Sequence, residues 1–309
     1  MQRRDLLALS LAAPFLSRAA FAQSTASPPP STVPVVASFS ILGDIVKQVG
    51  GGRVALRTIA GPDVDAHSFQ PRPSDAEAVR RASLVVRNGL GFETWLDRLV
   101  RSSGYRGPVA TATEGVTTRA AREEGGHGHS HGAGAQDPHA WQDLRNGQIY
   151  VRNIATALAA ADPAGAGTYQ ANAAAYLARL VALDAWVREQ IGGVPGARRR
   201  VVTSHDAFEY FGAAYGVEFL APQGVNTESE PSAAQVARLI RLLKRENITA
   251  VFLENMANPA TLQRLAAEAG ATVQGQLYAD ALSRADGPAP TYEAMFRSNV
   301  ALLVPAMKG

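Results

Sequence analysis

Apolar and polar positions along the chain alternate between two periods, one suited to strands and one to helices. Val33 to Ser38 is a short β-rich run, and Ile41 to Val49 continues with helical spacing. Val54 to Ile59 alternates as a strand does, and the turn Gly61-Pro62-Asp63 follows it. Ser74 to Arg81 opens on a residue of N-cap type with Glu77 three positions on, the arrangement of a capping box. Leu84-Val85-Val86 reads as a buried strand and Glu93 to Ser102 as a helix. Between residues 115 and 138 the periodicity stops. That stretch is rich in Gly, Ala and charge, holds His127, His129 and His131, and reads as a mobile low-complexity loop.

From Asn146 to Ile191 the pattern is helical, interrupted near Asp162-Pro163. Its second part, Thr168 to Ile191, repeats apolar residues at helical spacing through Tyr176, Leu177, Leu180, Leu183, Val187 and Ile191. As one helix it is roughly 35 Å long, enough to join two lobes. The alternation then resumes. Val201 to Thr203, Glu218 to Leu220, Ala250 to Leu253 and Thr272 to Leu277 read as strands. Asp206 to Tyr215, Ser232 to Glu246, Pro259 to Gly270 and Thr291 to Met307 read as helices. Strand-helix alternation argues for an α/β fold with mostly parallel sheets. No short-period repeat is present.

Composition narrows the class. The chain has 309 residues, 46% hydrophobic and 18% charged, as in a soluble globular protein large enough for two domains. The formal net charge of +3 owes two units to residues 1–22, where Arg3, Arg4 and Arg18 face only Asp5. A body that close to neutral gives no support for nucleic-acid binding. Residues 1–22 read as an export signal: a basic start, the apolar run Leu6 to Leu16, and Ala20-Phe21-Ala22 before cleavage. The run is too short to anchor in a bilayer. Arg3-Arg4 fits the twin-arginine route, and an ordinary Sec signal fits as well. Residues 23–32 form a polar, proline-rich leader expected to be disordered. With no cysteine there is no lipid attachment, no disulfide and no thiolate ligand, so a metal site must be built from histidine and carboxylate.

Three of the six histidines lie in the loop, leaving His67, His139 and His205. Each falls just beyond a predicted strand or before a helix, where open α/β sheets bind ligands. His67 sits in Asp65-Ala66-His67-Ser68-Phe69, followed by Pro73-Ser74-Asp75. His139 sits in Asp137-Pro138-His139-Ala140-Trp141, and His205 in Ser204-His205-Asp206-Ala207-Phe208. Asp280 sits in Leu277-Tyr278-Ala279-Asp280-Ala281-Leu282-Ser283.

These segments, in this order, resemble the motifs of the zinc- and manganese-binding solute-binding proteins of ABC importers, the ZnuA/TroA-like family. The resemblance runs over essentially all of residues 33–309. It implies two α/β lobes, residues 33–167 and 192–309, joined by one long rigid helix, residues 168–191, with the ion between them. It places His67, His139, His205 and Asp280 as the metal ligands, and likens the loop around His127, His129 and His131 to the histidine-rich insert of zinc-directed members. It further implies a periplasmic protein, a monomer, that serves an ABC permease and its ATPase and accepts zinc from a metallochaperone. A rigid linking helix would keep lobe motion on binding small.

Three imidazoles and one carboxylate make a tetrahedral set suited to Zn²⁺, with Mn²⁺ the alternative. Four protein ligands leave no position for a catalytic water, which argues for carriage over catalysis. A zinc hydrolase is the rival of another class, but neither H-E-x-x-H nor G-x-S-x-G occurs. A metal-binding adhesin on the same fold is a second rival. Asp65, Asp137 and Asp206 neighbour the ligands and could orient an imidazole, although a turn or cap role is the expectation for each. Glu254 is expected to be structural. Trp141 and Phe208 are expected to form an apolar wall beside the ligands.

Overall fold

The computed structural model describes residues 32–121, 135–227 and 231–309. His127, His129 and His131, the export signal, and the leader up to Ser31 lie outside the described residues. Two four-stranded parallel sheets follow one another. In the first, β1 (Val33–Phe39), β2 (Val54–Ala60), β3 (Leu84–Arg87) and β4 (Val109–Thr111) lie in the order β2-β1-β3-β4. In the second, β5 (Arg200–Val202), β6 (Glu218–Leu220), β7 (Ala250–Glu254) and β8 (Thr272–Leu277) lie in the equivalent order β6-β5-β7-β8. Both sheets therefore reverse direction beside their first strand, and each opens a crevice at its carboxyl edge there. β4, three residues long, has no periodicity to announce it and is missing from the sequence reading.

Helices cover the sheets: α1 (Ser40–Gly50), α2 (Pro73–Arg81), α3 (Leu96–Ser103), α4 (Leu144–Ala161), α5 (Ala166–Gly192), α6 (Glu209–Tyr215), α7 (Ala233–Glu246), α8 (Pro259–Ala269) and α9 (Tyr292–Lys308). The α5 helix of 27 residues is about 40 Å long. It buries Tyr169, Ala173, Tyr176, Leu180, Leu183, Val187 and Ile191, one stripe at intervals of three and four. It packs on α1 and α4 from the first half and on α6 and α9 from the second. Around it runs one apolar core, from Phe39 and Trp141 through Tyr176 to Phe219, Phe252 and Phe296. Where α4 crosses α9, Gly147 is required: a Cβ there would come within 2.5 Å of the Tyr292 hydroxyl. Gly147→Ala is expected to cost about 1–3 kcal/mol by overpacking, read as an earlier midpoint in urea unfolding.

Two helix starts differ from the sequence expectation. α2 begins at Pro73 rather than at a Ser74 cap, because proline suits the first helical position. Asp75, not Glu77, closes the turn by accepting from the Arg72 backbone N–H at 2.9 Å. α6 begins at Glu209 rather than Asp206, since Asp206 to Phe208 turn around the end of β5. The Ser232 cap is present: its hydroxyl accepts from the Gln235 N–H, and the Gln235 side chain accepts from the Ser232 N–H.

Candidate metal centre

His67, His139, His205 and Asp280 converge. Their potential ligand atoms all lie within 4.8 Å of one another, and all four residues are buried. His67 Nε2 is 3.2 Å from His139 Nε2 and 3.2 Å from Asp280 Oδ2. His205 Nε2 is 3.0 Å from Asp280 Oδ2, and His139 Nε2 is 3.5 Å from Asp280 Oδ1. Among the described residues neither Asp280 oxygen nor His205 Nε2 completes a hydrogen bond, although all three atoms are shielded from solvent. A buried carboxylate without donors is costly unless a cation meets it.

His67, His205 and Asp280 reach this point from loops that follow strands, and His139 from the long connection between β4 and α4. His67 lies in the loop after β2, where Asp65 accepts from the His67 N–H (2.8 Å) and from the Ser68 hydroxyl (2.8 Å). Asp65 is thus a turn-former, as expected of it. Trp95 Nε1 donates to the Ala66 carbonyl at 2.7 Å and fixes the same loop from the far side. His139 precedes a short 3-10 turn, Ala140–Gln142. Trp141 Nε1 and Gln142 Nε2, from that turn, both donate to the Ala279 carbonyl, at 3.0 and 2.8 Å. The His139 and Asp280 segments are therefore tied together across the two halves. His205 follows β5, and Asp280 follows β8.

Two imidazoles are aimed by carboxyl groups behind them. Asp137 Oδ1 lies 2.7 Å from His139 Nδ1 and accepts from the His139 backbone N–H at 2.9 Å. Glu254 Oε2 lies 2.5 Å from His205 Nδ1, while its Oε1 accepts from the Ser204 and His205 N–H groups at 2.8 and 3.1 Å. With Nδ1 donating backwards, each ring, once it has lost its second proton, presents the Nε2 lone pair to the centre. Asp137 thus orients a ligand, against the turn role expected of it. Glu254 does too, against the purely structural role expected of it. The signal for Glu254 was an acid at the end of the otherwise apolar strand Ala250 to Leu253. Glu254→Gln is expected to weaken metal binding at this centre 10- to 100-fold, measured by chelator competition.

The wall beside the ligands is aromatic. Phe92 lies 4.5 Å from the His67 ring and 6.0 Å from the His139 ring, and Trp141 lies 5.2 Å from His139. Phe208, expected in this wall, instead stacks on Phe219 at 4.8 Å in the core of the second half. Phe92 takes its place from a turn in which Gly89, Leu90 and Gly91 all have positive φ. The buried Glu93 carboxyl holds that turn, accepting from the Ser38 hydroxyl and from the Asn88 and Gly89 N–H groups.

Charge is distributed unevenly over the ligands. Burial lowers the His67 pKa, and the nearby Asp280 only partly offsets it. Burial also works against charge on His139, but Asp280 and Asp137 outweigh it and push the imidazole up to about 9. At His205 burial is outweighed by Glu254 and Asp280, which hold its pKa well above the usual range. Asp280, for which burial favours protonation, is held far below the ordinary carboxylate range by His205 and His139.

Residues 35–306 match the family model described as zinc-uptake complex component A, periplasmic. The chain is 35% identical over 266 residues to the manganese-binding lipoprotein MntA of Halalkalibacterium halodurans, covering 86% of this chain and 85% of the relative. It is 34% identical over 285 residues to the iron-binding protein YfeA of Yersinia pestis, covering 92% and 89%. Among solved structures it is similar to the periplasmic zinc binding protein TroA from Treponema pallidum, with TM-score 0.82 and 28% identity over 90% of this chain and 100% of that one. A Mn-bound periplasmic metal binding protein from Candidatus Liberibacter asiaticus gives TM-score 0.78 and 29% identity over the same shares.

Proposed function

This chain belongs to the ZnuA family of periplasmic metal-binding, substrate-binding components of ABC importers, proteins that carry rather than catalyse, and from that membership we propose that its cargo is Zn²⁺, held by His67, His139, His205 and Asp280. The observation that carries this reading is the donor set itself: three imidazole nitrogens and one carboxylate within 4.8 Å of one another. Zn²⁺ is content with four such ligands, whereas Mn²⁺ favours six and more oxygen.

The manganese reading has its own support in MntA and the Mn-bound relative. Against it stands the oxygen supply. Asp137 and Glu254 are turned to the backs of the imidazoles, so Asp280 is the carboxylate that faces the centre among the described residues. The loop with His127, His129 and His131 serves in this reading as a weak capture site that speeds loading. The protein works as a periplasmic monomer after export by the Tat or Sec route, delivers to a permease and its ATPase, and takes zinc from a metallochaperone.

Native mass spectrometry with metal analysis of protein purified from the periplasm is expected to show one zinc per chain. Replacing His205 by Glu adds a hard oxygen donor, so paired competition titrations should show lower zinc affinity and a narrower zinc-to-manganese ratio. A wild type loaded with manganese, or a ratio unmoved by His205→Glu, sinks the zinc reading.

A further inference from the structure

Three of the four converging residues are sealed: His139, His205 and Asp280 are 0% exposed. His67 is not sealed in the same way. At 4% exposure it forms part of the lining of a surface cleft of about 390 Å³, shared with Ser68, Phe69, Gln70, Thr94, Trp95 and Arg98. It also differs in how it is held. The rings of His139 and His205 are fixed from behind by Asp137 and Glu254. The His67 ring packs edge-on against Phe92, but its polar contacts are made through Nε2, and among the described residues nothing hydrogen-bonds its Nδ1. Its backbone is nonetheless pinned, by Asp65 at its own N–H and by Trp95 at the preceding carbonyl. The Asp65 carboxylate is held in turn by the Thr227 hydroxyl at 2.6 Å. The part free to move is therefore the imidazole and not the loop.

Resting on the reading that these four residues hold the ion, we propose that the metal enters and leaves through the cleft floored by His67, whose side chain swings to open the site while the other three ligands stay in place. The order of events follows from the geometry. On release, His67 is the first ligand lost, and the ion remains on His139, His205 and Asp280 until an acceptor reaches it through the cleft. On capture, those three ligands bind first and His67 closes behind the ion. Arg98 is exposed on the cleft wall and forms no ion pair among the described residues, so its charge opposes an approaching dication. A carboxylate brought by the docking partner would lift that opposition.

The absence of cysteine makes a clean test possible. Single cysteines are introduced as Thr94→Cys and, separately, Gln70→Cys, both exposed cleft positions, and each is labelled with a bulky maleimide. Ala213→Cys, exposed at a different cleft, is the control. Stopped-flow capture of Zn²⁺ and its release to a chelator are measured on each. Labels at 94 and 70 are expected to slow both rates by on the order of tenfold and leave Kd within about threefold, because a plug alters passage and not the bound state. The label at 213 and the unlabelled variants should exchange zinc as wild type does. Arg98→Glu should speed capture at low ionic strength, an effect that fades with salt. Unchanged rates with both cleft labels, or an equal slowing by the label at 213, overturn the proposal. Failure of the underlying site is separate: it appears as wild-type zinc affinity in the His139→Ala and His205→Ala proteins, whatever the labels do.

Discussion

Alanine at His139 or His205 is expected to weaken zinc binding by about two to four orders of magnitude. Either change removes a nitrogen donor and leaves a carboxyl group, Asp137 or Glu254, buried without the imidazole it was turned towards. Breaking a buried charged pair by deleting one partner costs about 3–5 kcal/mol, and each 1.4 kcal/mol is about tenfold in affinity. His67→Ala should cost less. No carboxyl group is orphaned behind its ring, and the cleft beside it can admit a water to the vacated coordination position. Competition titrations of the three variants against one chelator give the ranking. If all three retain wild-type affinity, the ion sits elsewhere.

The second large effect is of pH. In the metal-free protein at neutral pH, His139 and His205 are imidazolium, since one titrates at about 9 and the other well above the usual range. His67, its pKa lowered by burial, is already neutral, and Asp280 is a carboxylate. Only neutral imidazole binds metal, so loading must expel two protons. Affinity should then rise with pH, by up to about 100-fold per unit while both imidazoles are protonated, and fall towards acid. The stability of the empty protein runs the other way. A histidine with a raised folded pKa contributes stability that is complete below its unfolded value, about 6.5, and lost as pH rises through the folded one. Titration calorimetry in two buffers of different ionisation enthalpy counts the protons. A count near zero contradicts this charge distribution.

What the sequence made legible follows from the range over which each interaction acts. Helices α5, α7 and α9 could be read because their burial stripes and caps are local. The three histidines stood out because each lies in a short distinctive segment beside an aspartate, which for His67 forms the turn and for His139 orients the ring. Asp280 has no such local mark and was placed by the family resemblance alone. Glu254 lies 49 residues from the ring it orients, a distance over which no periodicity or spacing carries information. Phe92 was missed for a related reason. Its position depends on three successive positive φ angles and on Glu93 folding back onto β1 through Ser38. The same holds for Phe208, whose nearness to His205 in sequence suggested nearness in space. The turn after β5 sends it into the core instead.

The four converging side chains come from loops of both sheets, in a chain without a single cysteine. An ion bound there would add a coordinate cross-link to the hydrogen bonds that already tie the two halves, and in the proposed reading that cross-link is the cargo. Ligand binding at 1,000 times Kd adds about 4 kcal/mol to folding, a large part of the stability of an ordinary domain. Unloading therefore hands back a protein looser than the one that arrived, with a larger share of opened molecules for a protease to cut. Turnover in the cell would then report metal supply: well-fed chains persist, starved ones are cleared.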